Sequence, residues 1–188
     1  MLFPLPSYAQ RSSDTAVTKI GSPKGGDSGW PTAGRVTQGS RGPGGHLAHG
    51  LIALDIANSP GTQIYATFDG TAYAYSCSSD GACNESYGRL GNFVKLVPDA
   101  NPSAFVLYGH MMAVTIANEA KVKKGDQLGL MGHTGFVIPN DARGTHLHYE
   151  FRGLPMAPPY IPQAIIPETC GICEPGETCT ACSPAQIP

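Results

Sequence analysis

The 188-residue chain has no apolar run approaching the roughly 20 residues of a membrane-spanning helix. It also lacks an excess of one charge. The formal net charge is −2 and the Lys and Arg residues are scattered, so there is no footprint for nucleic acid. No internal repeat of useful length appears before the Cys-rich C-terminal segment, and little of the chain favours a long helix. What it has instead is punctuation: 24 glycines and 17 prolines, nearly twice the roughly 12% of average usage. Such density argues for short strands joined by turns. The length suits one domain with a real core, with or without tails.

The expected strands follow from that punctuation. Leu51 to Ala57 is apolar around one acid. Gln63 to Phe68 and Thr71 to Tyr75 flank Asp69-Gly70, a strong hairpin signal. Phe93 to Val97 and Ala104 to Tyr108 are broken by Pro98-Asp99-Ala100-Asn101-Pro102, and Gln127 to Met131 and Thr145 to Phe151 complete the set. Met111 to Ala120 suits a helical turn or two equally with loop and strand. The expectation is an all-β fold, an antiparallel sheet core with a metal groove walled by loops and a short Cys-rich C-terminal tail. Residues 29–167 form the domain, 10–28 a polar, Gly-rich linker and 168–188 the tail.

Residues 1–9 read as the remnant of a secretory signal. Ser7-Tyr8-Ala9 supplies small residues at the −3 and −1 positions of a cleavage site before Gln10. The plain alternative is an ordinary disordered N-terminus. The six cysteines favour export. Cys77 and Cys83 flank a Ser-Ser-Asp-Gly-Ala turn, close enough to be bridged. Cys170, Cys173, Cys179 and Cys182 crowd into thirteen residues. Only five residues separate the two C-x-x-C pairs, against roughly 15–20 in a zinc ribbon. A disulfide knot is therefore favoured over a zinc knuckle. A monomer that is secreted or periplasmic is expected, acting without nucleic acid and without a membrane span.

Chemistry concentrates in two places. In Gly144-Thr145-His146-Leu147-His148-Tyr149-Glu150-Phe151, strand alternation puts His146 and His148 on one face. In Gly44-Gly45-His46-Leu47-Ala48-His49-Gly50-Leu51-Ile52-Ala53-Leu54-Asp55, an acid sits within an apolar strand, where it requires a cation or strong donor. His49 lies an even six residues before Asp55, so a continuous strand would align them. His46 has the wrong parity, which a bend among the glycines could rescue. His49 is favoured, and His46 stays open. His49, Asp55 and His148 would form a two-imidazole, one-carboxylate set suited to one Zn²⁺ with a fourth position for water. His146 and His110 then remain for acid/base work, and His133 is left as a loop residue near the groove.

With these residues in view, the chain resembles the lysostaphin/LytM-type zinc endopeptidases, which cut peptide bonds in bacterial cell-wall peptidoglycan. The likeness runs from Trp30 to Arg152. It is carried by His49 and Asp55, by Ser59-Pro60-Gly61-Thr62-Gln63-Ile64-Tyr65-Ala66, by Tyr108-Gly109-His110, by Gly132-His133-Thr134-Gly135 and by Gly144-Thr145-His146-Leu147-His148. The resemblance implies His49, Asp55 and His148 as zinc ligands, His110 and His146 as catalytic histidines, and wall peptides as substrate. One departure is that many members place the first histidine four residues before the aspartate, whereas here the gap is six. Some relatives have lost ligands and act as non-catalytic activators, but this chain keeps all five positions. Neither a docking module nor a zinc-stapled structural fold requires His110 and His146.

Overall fold

The computed structural model describes residues 29–39, 45–77, 85–156, 159–161 and 186–187. Ten strands among these residues make up one antiparallel sheet. They are β1 (Gly34–Gln38), β2 (Ile52–Ala57), β3 (Gln63–Tyr65), β4 (Gly70–Tyr75), β5 (Asn92–Pro98), β6 (Phe105–Val114), β7 (Ala120–Val122), β8 (Gln127–Met131), β9 (His146–Arg152) and β10 (Gln186–Ile187). Their order is β10-β1-β2-β9-β6-β5-β4-β7, with β8 joined to β6 and β3 joined to β8. The only helices among the described residues are 3-10 segments at His46–His49, Glu85–Leu90 and Ala142–Gly144. No helix among them is long and apolar enough to cross a membrane.

Period-two alternation separates a core face from a site face. Leu147, Tyr149 and Phe151 of β9, Leu54 and Ile56 of β2, and Val106 and Tyr108 of β6 all enter the main core. The residues between them, among them Asp55, His146, His148 and Glu150, take the other face. There a smaller cluster of Leu90, Phe93 and Leu107 packs beside them. Burying a large apolar side chain contributes about 1.5–3 kcal/mol, so this two-faced sheet is a rigid platform for polar groups.

The strands differ from the sequence expectation in two places. Asp69-Gly70 does not close a hairpin between β3 and β4, since β3 pairs with β8 and β4 pairs with β5 and β7. A tight hairpin turn of this kind needs positive φ at both central residues, and Gly70 is not among the glycines that have it. Asp69 instead accepts hydrogen bonds from Lys124 N at 2.8 Å and Lys123 Nζ at 2.9 Å. In the second place, β6 continues through Val114, so part of the ambiguous 111–120 segment is strand. Cys77 is disulfide-bonded, while Cys83 lies outside the described residues. The signal remnant, all but residue 29 upstream of Trp30, and the four-cysteine segment also lie outside them. From the expected tail, β10 pairs with the sheet edge at β1.

Candidate metal centre

Sheet register brings the site together. Asp55 on β2 lies directly opposite His148 on β9, and Ala57 lies opposite His146. On the other side of β9, Gly109 of β6 faces His148. Directly opposed residues share a face, with Cβ atoms about 4.5–5.5 Å apart. His148 Nδ1 accordingly stands 3.0 Å from Asp55 Oδ1. The third member arrives from the loop before β2: His46 Nε2 is 3.2 Å from the same oxygen. One donor atom from each of His46, Asp55 and His148 falls within a 4.8 Å span.

His49 is not in that cluster. The parity argument presupposes a continuous strand, but residues 46–49 form a 3-10 helix that ends at Gly50, whose φ is +73°. With three residues per turn, His49 lies on the same side as His46 and one turn along. It is exposed at the groove, whereas His46 is buried at 7% exposure. The structure therefore places beside Asp55 the histidine that parity disfavoured.

The three residues fit a metal ion. Although His46 Nε2 is near Asp55, it is buried and has no hydrogen-bond partner among the described residues. The 3.2 Å contact is an ion-pair distance without hydrogen-bond alignment. Leaving such a nitrogen unsatisfied costs about 1–3 kcal/mol, and a cation accepting its lone pair removes that cost. Two imidazoles and one carboxylate are a Zn²⁺ donor set with one position open. Burial pushes the Asp55 carboxyl up, but the hydrogen bond from His148 and the His46 nitrogen beside it hold it well below the usual carboxylate range. Burial pushes the His148 imidazole down. Its hydrogen bonds to Asp55 and Glu150 outweigh that and raise it to about 9.

Glu150 was given no role in the sequence, yet it anchors His148. It is 3% exposed and accepts from His148 Nε2 at 3.0 Å and from Arg152 Nε. A carboxylate behind an imidazole fixes its ring orientation and raises its basicity toward a metal. The signal was available: Glu150 follows His148 by two residues, hence on the same strand face.

His110 and His146 are prepared differently. His146 Nδ1 donates to Gly144 O at 2.7 Å and His110 Nδ1 to Thr134 O at 2.8 Å. A carbonyl can only accept, so each Nδ1 carries hydrogen, and a neutral ring so held has its lone pair on Nε2. Burial, reinforced by the neighbouring His146 imidazole, pushes His110 down to about 3, so it is neutral at physiological pH. The two rings lie 4.7 Å apart, and His110 lies 5.8 Å from His148. A β-bulge aims His110: the β5 register passes from Asn92↔Met111 to Val94↔Tyr108, leaving one extra residue on β6. His110 itself has φ +61°, a left-handed conformation that a histidine adopts only at a cost of about 1–2 kcal/mol. His133 stays in its loop, 3.4 Å from Thr145 Oγ1.

These side chains line one groove, with Tyr87, Arg89, Phe136 and Ile138 along its walls. Residues 50–158 match the model of Peptidase family M23. The chain belongs to peptidase family M23. The match covers Asp55, His110, His146 and His148 and begins just after the histidine pair at 46 and 49. The murein hydrolase activator NlpD of Escherichia coli is 31% identical over 124 residues, 65% of this chain and 27% of that protein. The chain thus spans about a quarter of the length of the curated relatives it matches. A catalytic-domain variant of the prophage-encoded M23 protein EnpA from Enterococcus faecalis is 25% identical, covering 72% of this chain and 88% of that one at a TM-score of 0.47. The antimicrobial peptidase lysostaphin from Staphylococcus simulans is 21% identical over 63% of this chain and 42% of its own, also at 0.47. Both stand as likenesses only.

Proposed function

We propose that this M23-family chain is an exported zinc metalloendopeptidase that hydrolyses peptide bonds in bacterial peptidoglycan. The reading rests above all on the orphaned Nε2 of His46 beside Asp55 and His148. His46, Asp55 and His148 would hold the ion, with His46 taking the place first given to His49. When bound, Zn²⁺ supplies a Lewis acid and lowers the pKa of a water toward about 7. The Nε2 of His110 would take a proton from the attacking water and later deliver it to the leaving amine, and His146, once it carries a proton on Nε2 as well, would donate to the developing negative charge. Thr134 O and Gly144 O hold each ring by its Nδ1–H and so leave each Nε2 for this work.

A second reading, a wall-binding or hydrolase-activating module, is favoured by the 31% identity to the murein hydrolase activator NlpD. Two further imidazoles held by backbone carbonyls beside the cluster are superfluous to that role and favour the enzyme. Export is supported by the disulfide at Cys77. We extend it to a Cys77–Cys83 pairing and two disulfides among Cys170, Cys173, Cys179 and Cys182. Digestion of purified sacculi of different cross-link types, with mass analysis of the soluble products, tests the proposal. Release of peptides bearing new termini is expected. Intact sacculi under zinc-replete conditions would favour the activator.

A further inference from the structure

Among the described residues Arg89 is the one Lys or Arg side chain lining the groove. The acids there are engaged, Asp55 with His148 and Glu150 with His148 and Arg152. Among the described residues no carboxylate lies within ion-pair distance of Arg89. Its guanidinium stands over the Phe136 ring, 4.4 Å from the centroid. Such an arrangement uses the cation's face and leaves its N–H edge for a bidentate acceptor.

Nor is this arginine loosely attached. Its carbonyl accepts from Phe136 N at 2.9 Å, and Asn92 N donates to Thr134 Oγ1 at 2.9 Å. Gly91 and Gly135 permit this close approach: both have positive φ, and a Cβ on either would come within 2.4 Å of the opposite backbone. Thr134 O is also the acceptor that fixes His110. One loop contact therefore sets the charge and the acid/base histidine in a common frame. Beside Arg89 the wall is apolar and open, with Phe136 56% and Ile138 80% exposed.

We propose that Arg89 is a specificity determinant that binds a carboxylate on the substrate peptide while Phe136 and Ile138 take a neighbouring aliphatic part. This rests on the peptidase reading above. The carboxylate is either the peptide's free C-terminus or a side chain flanking the cut bond. Binding is bidentate and charge-assisted. It acts chiefly on KM, because Arg89 lines the groove wall and is not among the residues gathered at the metal cluster.

The test uses wall-type peptides in matched forms: both carboxylates free, the C-terminus amidated, and the side-chain carboxylate amidated. The zinc-loaded protein should cut the free form about 5- to 20-fold more efficiently than one amidated form, which identifies the source. Arg89→Ala should abolish the difference through KM with zinc content unchanged, Arg89→Lys should restore part of it, and Arg89→Glu should favour the amide. Equal rates on all three peptides, or a preference that survives Arg89→Ala, would overturn the proposal. Calorimetric titration of the same peptides into the His110→Ala protein, with and without Arg89, reads the preference even if no bond is cut. Failure of hydrolysis with the binding preference intact would refute the peptidase reading alone.

Discussion

Glu150→Gln isolates one charge behind the metal centre. The side chain keeps its shape and can still accept from His148 Nε2, now 3.0 Å from Oε2. A hydrogen bond to a charged partner contributes about 1.5–3 kcal/mol and a neutral one about 0.5–1.5, so the loss is roughly 1–1.5 kcal/mol. That predicts about a tenfold weaker zinc affinity where the ring is already neutral, at the low end of the range for such partners. At lower pH a second effect opposes it. Without metal, His148 is held protonated up to about 9, and zinc must displace the Nδ1 proton. The substitution lowers that pKa, making the proton easier to displace. The affinity ratio between wild type and Glu150→Gln should therefore be largest near pH 9.5 and shrink toward pH 6.5, measured by competition with a zinc-responsive chelator. The metal-free protein carries the complementary sign. The folded pKa of His148 is raised, so its stabilisation is complete below the unfolded value of about 6.5 and is lost as pH rises through about 9. Denaturant melts of the apoprotein should show that decline, and Glu150→Gln should flatten it. A ratio independent of pH would refute the reasoning.

His110→Ala and His146→Ala should retain zinc, measured by elemental analysis, yet lose about 10²–10⁴ in rate on a wall peptide; wild-type activity from either would remove it from the chemistry. Mass measurement of unreduced protein should show all six cysteines oxidised, a deficit of about six hydrogens, whereas free thiols with a second zinc would indicate a knuckle. Truncation after Pro167 removes β10, which pairs with β1 at only two positions. It should leave zinc binding and hydrolysis largely intact, and loss of cooperative melting would show that the C-terminal segment is part of the folded core.

Most of the sheet was legible because its signals are local. Apolar alternation marks β2 and β9, and Gly and Pro clusters bound them. The same alternation placed His146 and His148 on one face, and the cost of an unpaired buried acid singled out Asp55. What escaped depended on backbone conformation or on contacts distant in sequence. His46 was disfavoured because its parity assumes a strand where the chain forms a 3-10 helix. Asp69-Gly70 has hairpin composition, but Asp69 is bound from residues 123 and 124, and the strands around it pair elsewhere. The bulge that aims His110 and the carbonyl that fixes its tautomer, Thr134 O, come from β5 and a loop 24 residues away. No period within a single segment reports such partners. Glu150 is the exception, since its place two residues after His148 could have been read directly.

The central claim is that His46, Asp55 and His148 hold one zinc ion. Elemental analysis of gently purified wild type, His46→Ala and His49→Ala tests it most directly. About one zinc per chain is predicted for wild type and His49→Ala, with little for His46→Ala, whose orphaned buried nitrogen is then gone. Full zinc in His46→Ala together with loss in His49→Ala would contradict the assignment, and wild type without zinc would contradict the metal centre itself.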